Sequence, residues 1–388
     1  MSIKICFVTT SSISIDSFIA PCTPVLQREG FEVSYVTAAQ EGFKERCHEG
    51  VKLFDFQVKR GFDFLGTFIA AEKFRRLCRK EKFDIVVFAT PNGALYGSIG
   101  SRLAGVPCRV LAQWGMRYVG FEGVKRKIIR SIEQISCNNA TDVRNVSQKN
   151  RELAIKDGMY KPDKCKVLGE GGTIGVDLTQ YDLAKLPQMR IETREKLQIP
   201  KDALVYAFVG RICRDKGIGE LLSAFDKVLN ENQNCYLMFI GKLDDNSMLD
   251  KQVLERAKAN RNIIFCGAVP NVKVSEYLAA ADVLVHPTYR EGFGMVLQEA
   301  AALALPTITT NIPGASEAIV NGQTGLLAEK QDVDTLYKAM KFMFDAEERK
   351  RFGKNGRKRI ETSFERNMMV ERICKDYLEL YEKRVLKK

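Results

Sequence analysis

Histidine and tryptophan are scarce in this sequence: His48, His286 and the single Trp114 are the whole supply in 388 residues. So few imidazoles exclude a His-rich metal centre, and a serine-type triad would have to use one of the two. No run approaches the ~20 apolar residues that span a bilayer. No Cys-x-x-Cys pair occurs either. The eleven cysteines stand singly from Cys6 to Cys374, several inside apolar runs (Cys6, Cys235, Cys266). Scattered thiols in odd number fit a reducing compartment better than disulfides or zinc. The opening residues, Met1 to Thr10, read as a strand and lack the apolar core and cleavage site of a signal peptide. A cytoplasmic protein is expected.

The length favours two domains, and the hydrophobic fraction of 45% is that of a globular protein. Sixty Lys and Arg against 48 Asp and Glu give a net charge of +12. That excess fits an anionic substrate, an anionic membrane surface or plain solubility. Nucleic acid is not expected as a partner, because basic and acidic residues alternate over most of the chain and no nucleic-acid motif is present.

Apolar, β-branched runs at 3–8, 32–36, 85–88, 109–111, 143–146 and 166–168 alternate with helix-like stretches. A second series follows at 204–209, 235–240, 262–265, 283–286 and 307–309. Such alternation predicts parallel sheets covered by helices, an α/β architecture of two doubly wound domains. The polar, Pro-containing stretch 178–200 reads as the linker between domains at 1–177 and 201–365. A last helix over 366–388 carries one apolar face, Met369, Ile373, Tyr377 and Leu380, that must pack on something.

Two segments of the second half combine glycines, charge and helix starts. In Gly210-Arg211-Ile212-Cys213-Arg214-Asp215-Lys216-Gly217, a turn follows a buried strand and precedes a helix. Arg211 and Lys216 then stand at a strand's carboxyl end, where backbone N–H groups and the helix dipole suit a diphosphate. In Glu291-Gly292-Phe293-Gly294-Met295-Val296-Leu297-Gln298-Glu299, a glycine loop after strand 283–286 leads into an Ala-rich helix. Glu299, just over one turn in, can accept both hydrogen bonds of a vicinal diol such as ribose. Glu291 sits in the loop. The competing reading makes both glutamates solvated charges beside a core helix.

These segments resemble the retaining family-4 glycosyltransferases, which have the two-domain GT-B fold, and among them the bacterial capsule, O-antigen and exopolysaccharide transferases. The resemblance spans essentially all of the second domain: Gly-Arg-x4-Lys-Gly at 210–217, the Glu291/Glu299 pair, Leu305-Pro306-Thr307-Ile308, Pro313-Gly314-Ala315-Ser316-Glu317-Ala318-Ile319 and Asn321-Gly322-x2-Gly325-Leu326-Leu327. Gly175-Val176-Asp177-Leu178 matches the family's segment at the domain junction. The resemblance implies two Rossmann-like domains facing across a cleft, with the last helix free to cross back to the first. It implies that Arg211 and Lys216 hold the donor diphosphate, Glu299 the ribose, and that Glu291 faces the donor sugar. The loop Gly292, Phe293, Gly294, Met295, Val296 would supply backbone contacts, with Gly210 opening the turn. It further implies a nucleoside diphosphate sugar as substrate, expected to be a UDP-sugar, and no metal cofactor. The acceptor hydroxyl would attack from the front side, with Lys216 and Arg211 stabilising the departing phosphate.

The first half departs from the family. Thr9-Thr10-Ser11-Ser12 stands where relatives place a glycine pair, and two frequent family histidines are replaced by other residues around Asn92 and by Trp114. Ser11, Ser12, Asn92 and Trp114 are therefore candidates for the acceptor or sugar side, with core packing an equal alternative for Trp114. His286, ahead of Pro287, is expected to be a packed side chain. Two basic, aromatic stretches, Lys59–Lys82 (Phe62, Phe64, Phe68, Arg75, Arg76, Arg79, Lys80) and Phe121–Arg130, read first as charged solvent faces over ordinary core helices; the alternative is an anionic membrane face, where a lipid-linked glycan acceptor would be met. Two rivals remain: a GT-B sugar-nucleotide epimerase, and an inactive membrane-associated scaffold, against which the intact Arg211, Lys216, Glu291 and Glu299 speak.

Overall fold

A computed structural model describes residues 2–58, 64–245 and 247–387. The chain forms two compact units. One comprises Met1–Ile174 together with Asn367–Lys388, the other Gly175–Arg366.

The first unit holds strands β1 (Ile3–Val8), β2 (Phe31–Thr37), β3 (Lys52–Asp55), β4 (Ile85–Phe88), β5 (Cys108–Gln113), β6 (Asp142–Asn145) and β7 (Cys165–Val167). They make one parallel sheet in the order β3-β2-β1-β4-β5-β6-β7. The central strands read as unbroken apolar runs because both faces are covered by helices; all four residues of β4 are buried. On one face Phe56, Phe74 and Tyr96 form a buried aromatic cluster.

The other face receives the returning helix Arg366–Tyr381. Tyr377 meets Phe7 edge-on at 5.9 Å between ring centroids. The buried Asp376 carboxylate accepts from Arg144 Nε at 2.5 Å and Nη2 at 3.1 Å, a two-pronged pair. Arg384 repeats the arrangement on Asp142, at 2.9 and 3.0 Å. The apolar face predicted for this helix thus packs within the first unit.

The second unit carries β8 (Leu204–Val209), β9 (Cys235–Ile240), β10 (Ile263–Phe265), β11 (Val283–His286), β12 (Thr307–Thr310) and β13 (Gly325–Ala328), all parallel, in the order β10-β9-β8-β11-β12-β13. The strand order reverses between β1 and β4 in one sheet and between β8 and β11 in the other. In doubly wound sheets a crevice opens at such a switch point, outside the carboxyl ends of the strands.

The stretch 178–200, expected as a linker, is packed in the second unit instead. It contains the helix Leu186–Lys196. From that helix the buried Arg194 donates to the carbonyls of Ala280, Pro200, Lys201 and Ala203 at 2.9–3.1 Å and to Asp282 Oδ2 at 2.8 Å. Charge made this segment look solvated; a guanidinium with every prong satisfied can be core material. The strands β3 and β13 lie outside the expected set, at or beside sheet edges where apolar runs are short.

Among the described residues no helix is long and apolar enough to cross a membrane. Lys59, Phe62 and the side chain of Phe64 lie outside the described residues.

Candidate active site

The loops after β8 and β11 meet at the switch point of the second sheet. The β8 loop ends in a short helical turn, Arg214–Lys216, closed by Gly217 at φ +70°. A Cβ on Gly217 would fall on the Pro287 carbonyl, so only glycine lets the two loops approach this closely. Tyr289 N donates to Asp215 O at 2.9 Å, and Arg290 Nη2 lies 3.4 Å from Asp215 Oδ2. Held this way, Lys216 Nζ donates to Glu291 Oε2 at 2.9 Å.

The same oxygen is 3.3 Å from Nε2 of His286, the last residue of β11. The imidazole is buried and stacked on Phe208, with ring centroids 5.6 Å apart and planes 12° from parallel. Burial pushes the His286 pKa down, against the pull of Glu291. Burial acts on the Glu291 carboxyl in the upward direction, but Lys216 and then His286 outweigh it and hold it well below the usual carboxylate range. Glu291 is therefore a fixed negative charge between a cation and a neutral ring. His286 is packed, as its place before Pro287 leads one to expect. Its contact with Glu291 is not expected from the sequence, although a strand-end histidine five residues before the loop glutamate was the available signal.

Beyond Glu291 the chain enters the helix Met295–Ala302 from Gly294, at φ +89°, which brings no side chain to cap it. Glu299 is half-buried on this helix. Its carboxyl is pushed up by burial, opposed by Arg366 and by a hydrogen bond from the Tyr181 hydroxyl. Neither Tyr181 nor Arg366 was among the expected site residues, because both lie far from the motif in sequence. Gln298 is fully buried, and neither of its amide atoms has a hydrogen-bond partner.

Arg211 stands apart from this cluster. Its side chain is exposed and ion-paired to Asp244. Gly210, Gly292, Gly294, Met295 and Val296 all lie along the two loops and the start of the helix. The Phe293 side chain is buried and packs against Phe364 at 5.5 Å, so what this residue can offer a ligand is its backbone, the kind of contact expected of the loop.

In the first unit, Ser11 precedes the helix Ser12–Phe18, and Ser12 is buried with its Oγ accepting from Gln40 N. Asn92 lies in the first turn of the helix Pro91–Ala104. The loops after β1 and β4 are tied by Thr10 Oγ1 and Thr90 Oγ1 at 2.7 Å, so Thr10 is spent on the protein's own structure. Trp114 is partly exposed and rests on Phe18 at 4.8 Å. No three His, Cys, Asp or Glu side chains stand together as a metal site would need, among the described residues.

Two Rossmann-like units, one with a Lys–Glu–His cluster at its switch point and a glutamate one turn into the following helix, define a GT-B glycosyltransferase. Comparison with known proteins places it further. Residues 189–359 match the family model for glycosyl transferases group 1, and 25–171 that for the glycosyl transferase 4-like domain. The capsular polysaccharide biosynthesis glycosyltransferase CapM of Staphylococcus aureus is 31% identical over 349 residues, 90% of each chain. The chain belongs to this glycosyltransferase family. An Escherichia coli UDP-Gal:α-D-GlcNAc-diphosphoundecaprenol α-1,3-galactosyltransferase is 25% identical over 92% of this chain and 91% of its own. Among solved structures, HepE of Anabaena in complex with UDP and glucose superposes with a TM-score of 0.77 at 19% identity, over 97% of this chain and 100% of that one.

Proposed function

We propose that this glycosyltransferase moves a sugar from a UDP-sugar to a growing, lipid-linked surface glycan, with retention of configuration and without a metal. The observation that carries the reading is the Lys216–Glu291–His286 cluster at the β8/β11 switch point. Lys216 is paired with Glu291 and Arg211 with Asp244. A bound diphosphate would take over both cations, supplying the charge they now borrow from carboxylates. Glu299 would hold the ribose, and Glu291 would be left facing the sugar.

The acceptor hydroxyl then forms the new bond to the anomeric carbon as the bond to the β-phosphate oxygen breaks. The hydroxyl proton passes to that phosphate oxygen, giving glycoside and UDP. Lys216 and Arg211 stabilise the charge that develops on the leaving group, in place of a divalent ion. Support for the donor comes from HepE, crystallised with UDP and glucose. Support for the acceptor comes from the capsular and diphosphoundecaprenol names of the two relatives.

A membrane-facing surface fits the same reading. The helices Phe64–Glu81 and Gly123–Asn139 both pack on Pro91–Ala104, with their N-termini at the carboxyl edge of the first sheet. There Leu65, Phe68 and Val124 are 70–72% exposed, with Ile69 and Ile128 beside them. The same two helices carry Lys73, Arg76, Lys125, Arg126 and Lys127, of which Arg76 is ion-paired with Glu72 and Arg126 with Asp157. Apolar groups within a basic field suit an anionic lipid surface.

Calorimetric titration with UDP, followed by release of UDP from UDP-sugars with lipid-linked acceptors, tests the proposal. Absence of binding at millimolar UDP would sink the donor site. Interconversion of UDP-sugars without acceptor would favour an epimerase. The anomeric configuration of the product tests retention, and loss of turnover in EDTA would overturn metal independence.

A further inference from the structure

The first unit contains a cavity of about 60 Å³ between the sheet and the returning helix. Its walls are mostly apolar: Phe7, Val87, Cys22, Met369 and Ile373. Phe18, Trp114 and Thr173 are partly exposed lining residues, so the wall reaches the surface there. The polar residues of the lining are sharply unequal. Arg144 and Asp376 pair two-pronged, and Lys166, 3.3 Å from Asp376 and 3.5 Å from Glu379, completes a group of two cations and two anions. Asn145, 4% exposed at the end of β6, bonds Tyr160 through Nδ2 at 2.5 Å, and its Oδ1 is buried without a partner. A buried amide oxygen left open costs free energy that a ligand N–H would recover.

These features specify an occupant. With roughly 10–15 Å³ needed per water-sized group, the cavity takes about four to six such groups. Its charges cancel, so it selects a neutral group over a carboxylate or phosphate. It offers apolar contact on most sides, the hydroxyl-bearing Tyr377 and Thr173 in its wall, and one buried amide oxygen without a partner. We propose that this cavity is a binding pocket for the acetamido group of a 2-acetamido sugar, with Trp114 at its mouth against the sugar ring. The acetamido group has four heavy atoms, a methyl for the apolar wall and an N–H for Asn145 Oδ1. Were the Asn145 amide turned over, its N–H would meet the acetamido carbonyl instead, so the match survives either assignment. The inference rests on the glycosyltransferase reading for the sugar's role in turnover, but the pocket's preference is measurable without turnover.

Trp114 is the sole tryptophan, so its fluorescence reports on this site alone. The protein is titrated with methyl 2-acetamido-2-deoxy-α-glucopyranoside and, separately, with methyl α-glucopyranoside. The acetamido probe is expected to bind at least tenfold more tightly. Asn145→Leu, which removes the amide, and Ile373→Phe, which fills the cavity, are each expected to bring the two probes within about twofold. Thermal unfolding verifies that each variant is folded, and either one suffices for the comparison. Equal binding of the two probes by the wild-type protein, the result for a cavity holding only water, overturns the proposal. So does a preference that survives in both folded variants. Displacement of the probe by UDP-N-acetylglucosamine but not by UDP assigns the acetamido group to the donor. Displacement by an N-acetylglucosaminyl lipid diphosphate alone assigns it to the acceptor. UDP calorimetry is independent: UDP bound with no probe preference refutes the pocket, and no UDP bound refutes the donor site.

Discussion

Lys216 Nζ and Glu291 Oε2 are 2.9 Å apart, and each comes from the loop that follows one of two neighbouring strands. The pair makes the β8 and β11 loops a single electrostatic unit. Lys216→Ala is expected to lower kcat by about a hundredfold or more, the scale for losing one stabiliser of developing charge. UDP-release kinetics measure it, and near-wild-type turnover would refute the role.

Glu299 carries the pH prediction. Its carboxyl is raised above its ordinary value by burial, so it takes up a proton earlier than a solvated glutamate as pH falls. The protonated form loses acceptor capacity for a diol, so affinity for UDP should decline as pH drops through that raised value. The sign for stability is opposite. The ionised form burdens the fold above the raised value, and protonation relieves that burden. Calorimetry above pH 5, where Glu291 keeps its charge, separates the two carboxyls. Glu299→Gln should bind more weakly and show a flat profile; a wild-type slope in that variant would remove the assignment.

Arg194→Met should destabilise the second unit by about 3 kcal/mol or more, because it strands buried carbonyls and part of the Asp282 pairing. Thermal denaturation should show a drop of roughly 10 °C. A change under 2 °C would mean the guanidinium is dispensable and the segment is closer to the linker first expected.

Gln298→Met should stabilise the protein. Both amide atoms of Gln298 are buried without partners, so an apolar side chain of similar volume removes a desolvation penalty. A gain of about 1 kcal/mol, or roughly 2–4 °C in Tm, is expected, with UDP affinity unchanged. An unchanged or lowered Tm would show that the amide is satisfied in solution.

Phe68→Ser combined with Lys125→Glu and Lys127→Glu should weaken co-sedimentation with phosphatidylglycerol vesicles at least tenfold. Wild-type binding should fall with salt and be weak on phosphatidylcholine alone. Equal binding of variant and wild type would remove the membrane surface.

The sheets were legible because strands covered on both faces must be apolar throughout, as in Ile85–Phe88 and Leu204–Val209. Lys52–Asp55 escaped notice because its end residues are exposed and no apolar run announces it. Glycines and charges at the ends of β8 and β11 gave away the loops of the site. Partners brought in by tertiary folding did not show: Tyr181 and Arg366 approach Glu299 from more than 60 positions away. In the first unit Ser11 and Ser12 are candidates by their hydroxyls and their place after the first strand, and the structure gives the buried Ser12 hydroxyl to Gln40 N. Asn145 left no trace in the sequence, since an asparagine closing a strand reads as any other strand end.

The return of Asn367–Lys388 to the first unit has a consequence for biosynthesis. The first sheet is complete when Val167 has been made, yet the helix that covers one of its faces is encoded after the whole of Gly175–Arg366. At about 5–20 residues per second that delay is roughly 10–40 s. During it Phe7 lacks Tyr377 and Arg144 lacks Asp376. A nascent chain stalled near residue 366 would therefore present an apolar sheet face to chaperones and to other nascent chains, while the contiguous second unit has its full set of strands.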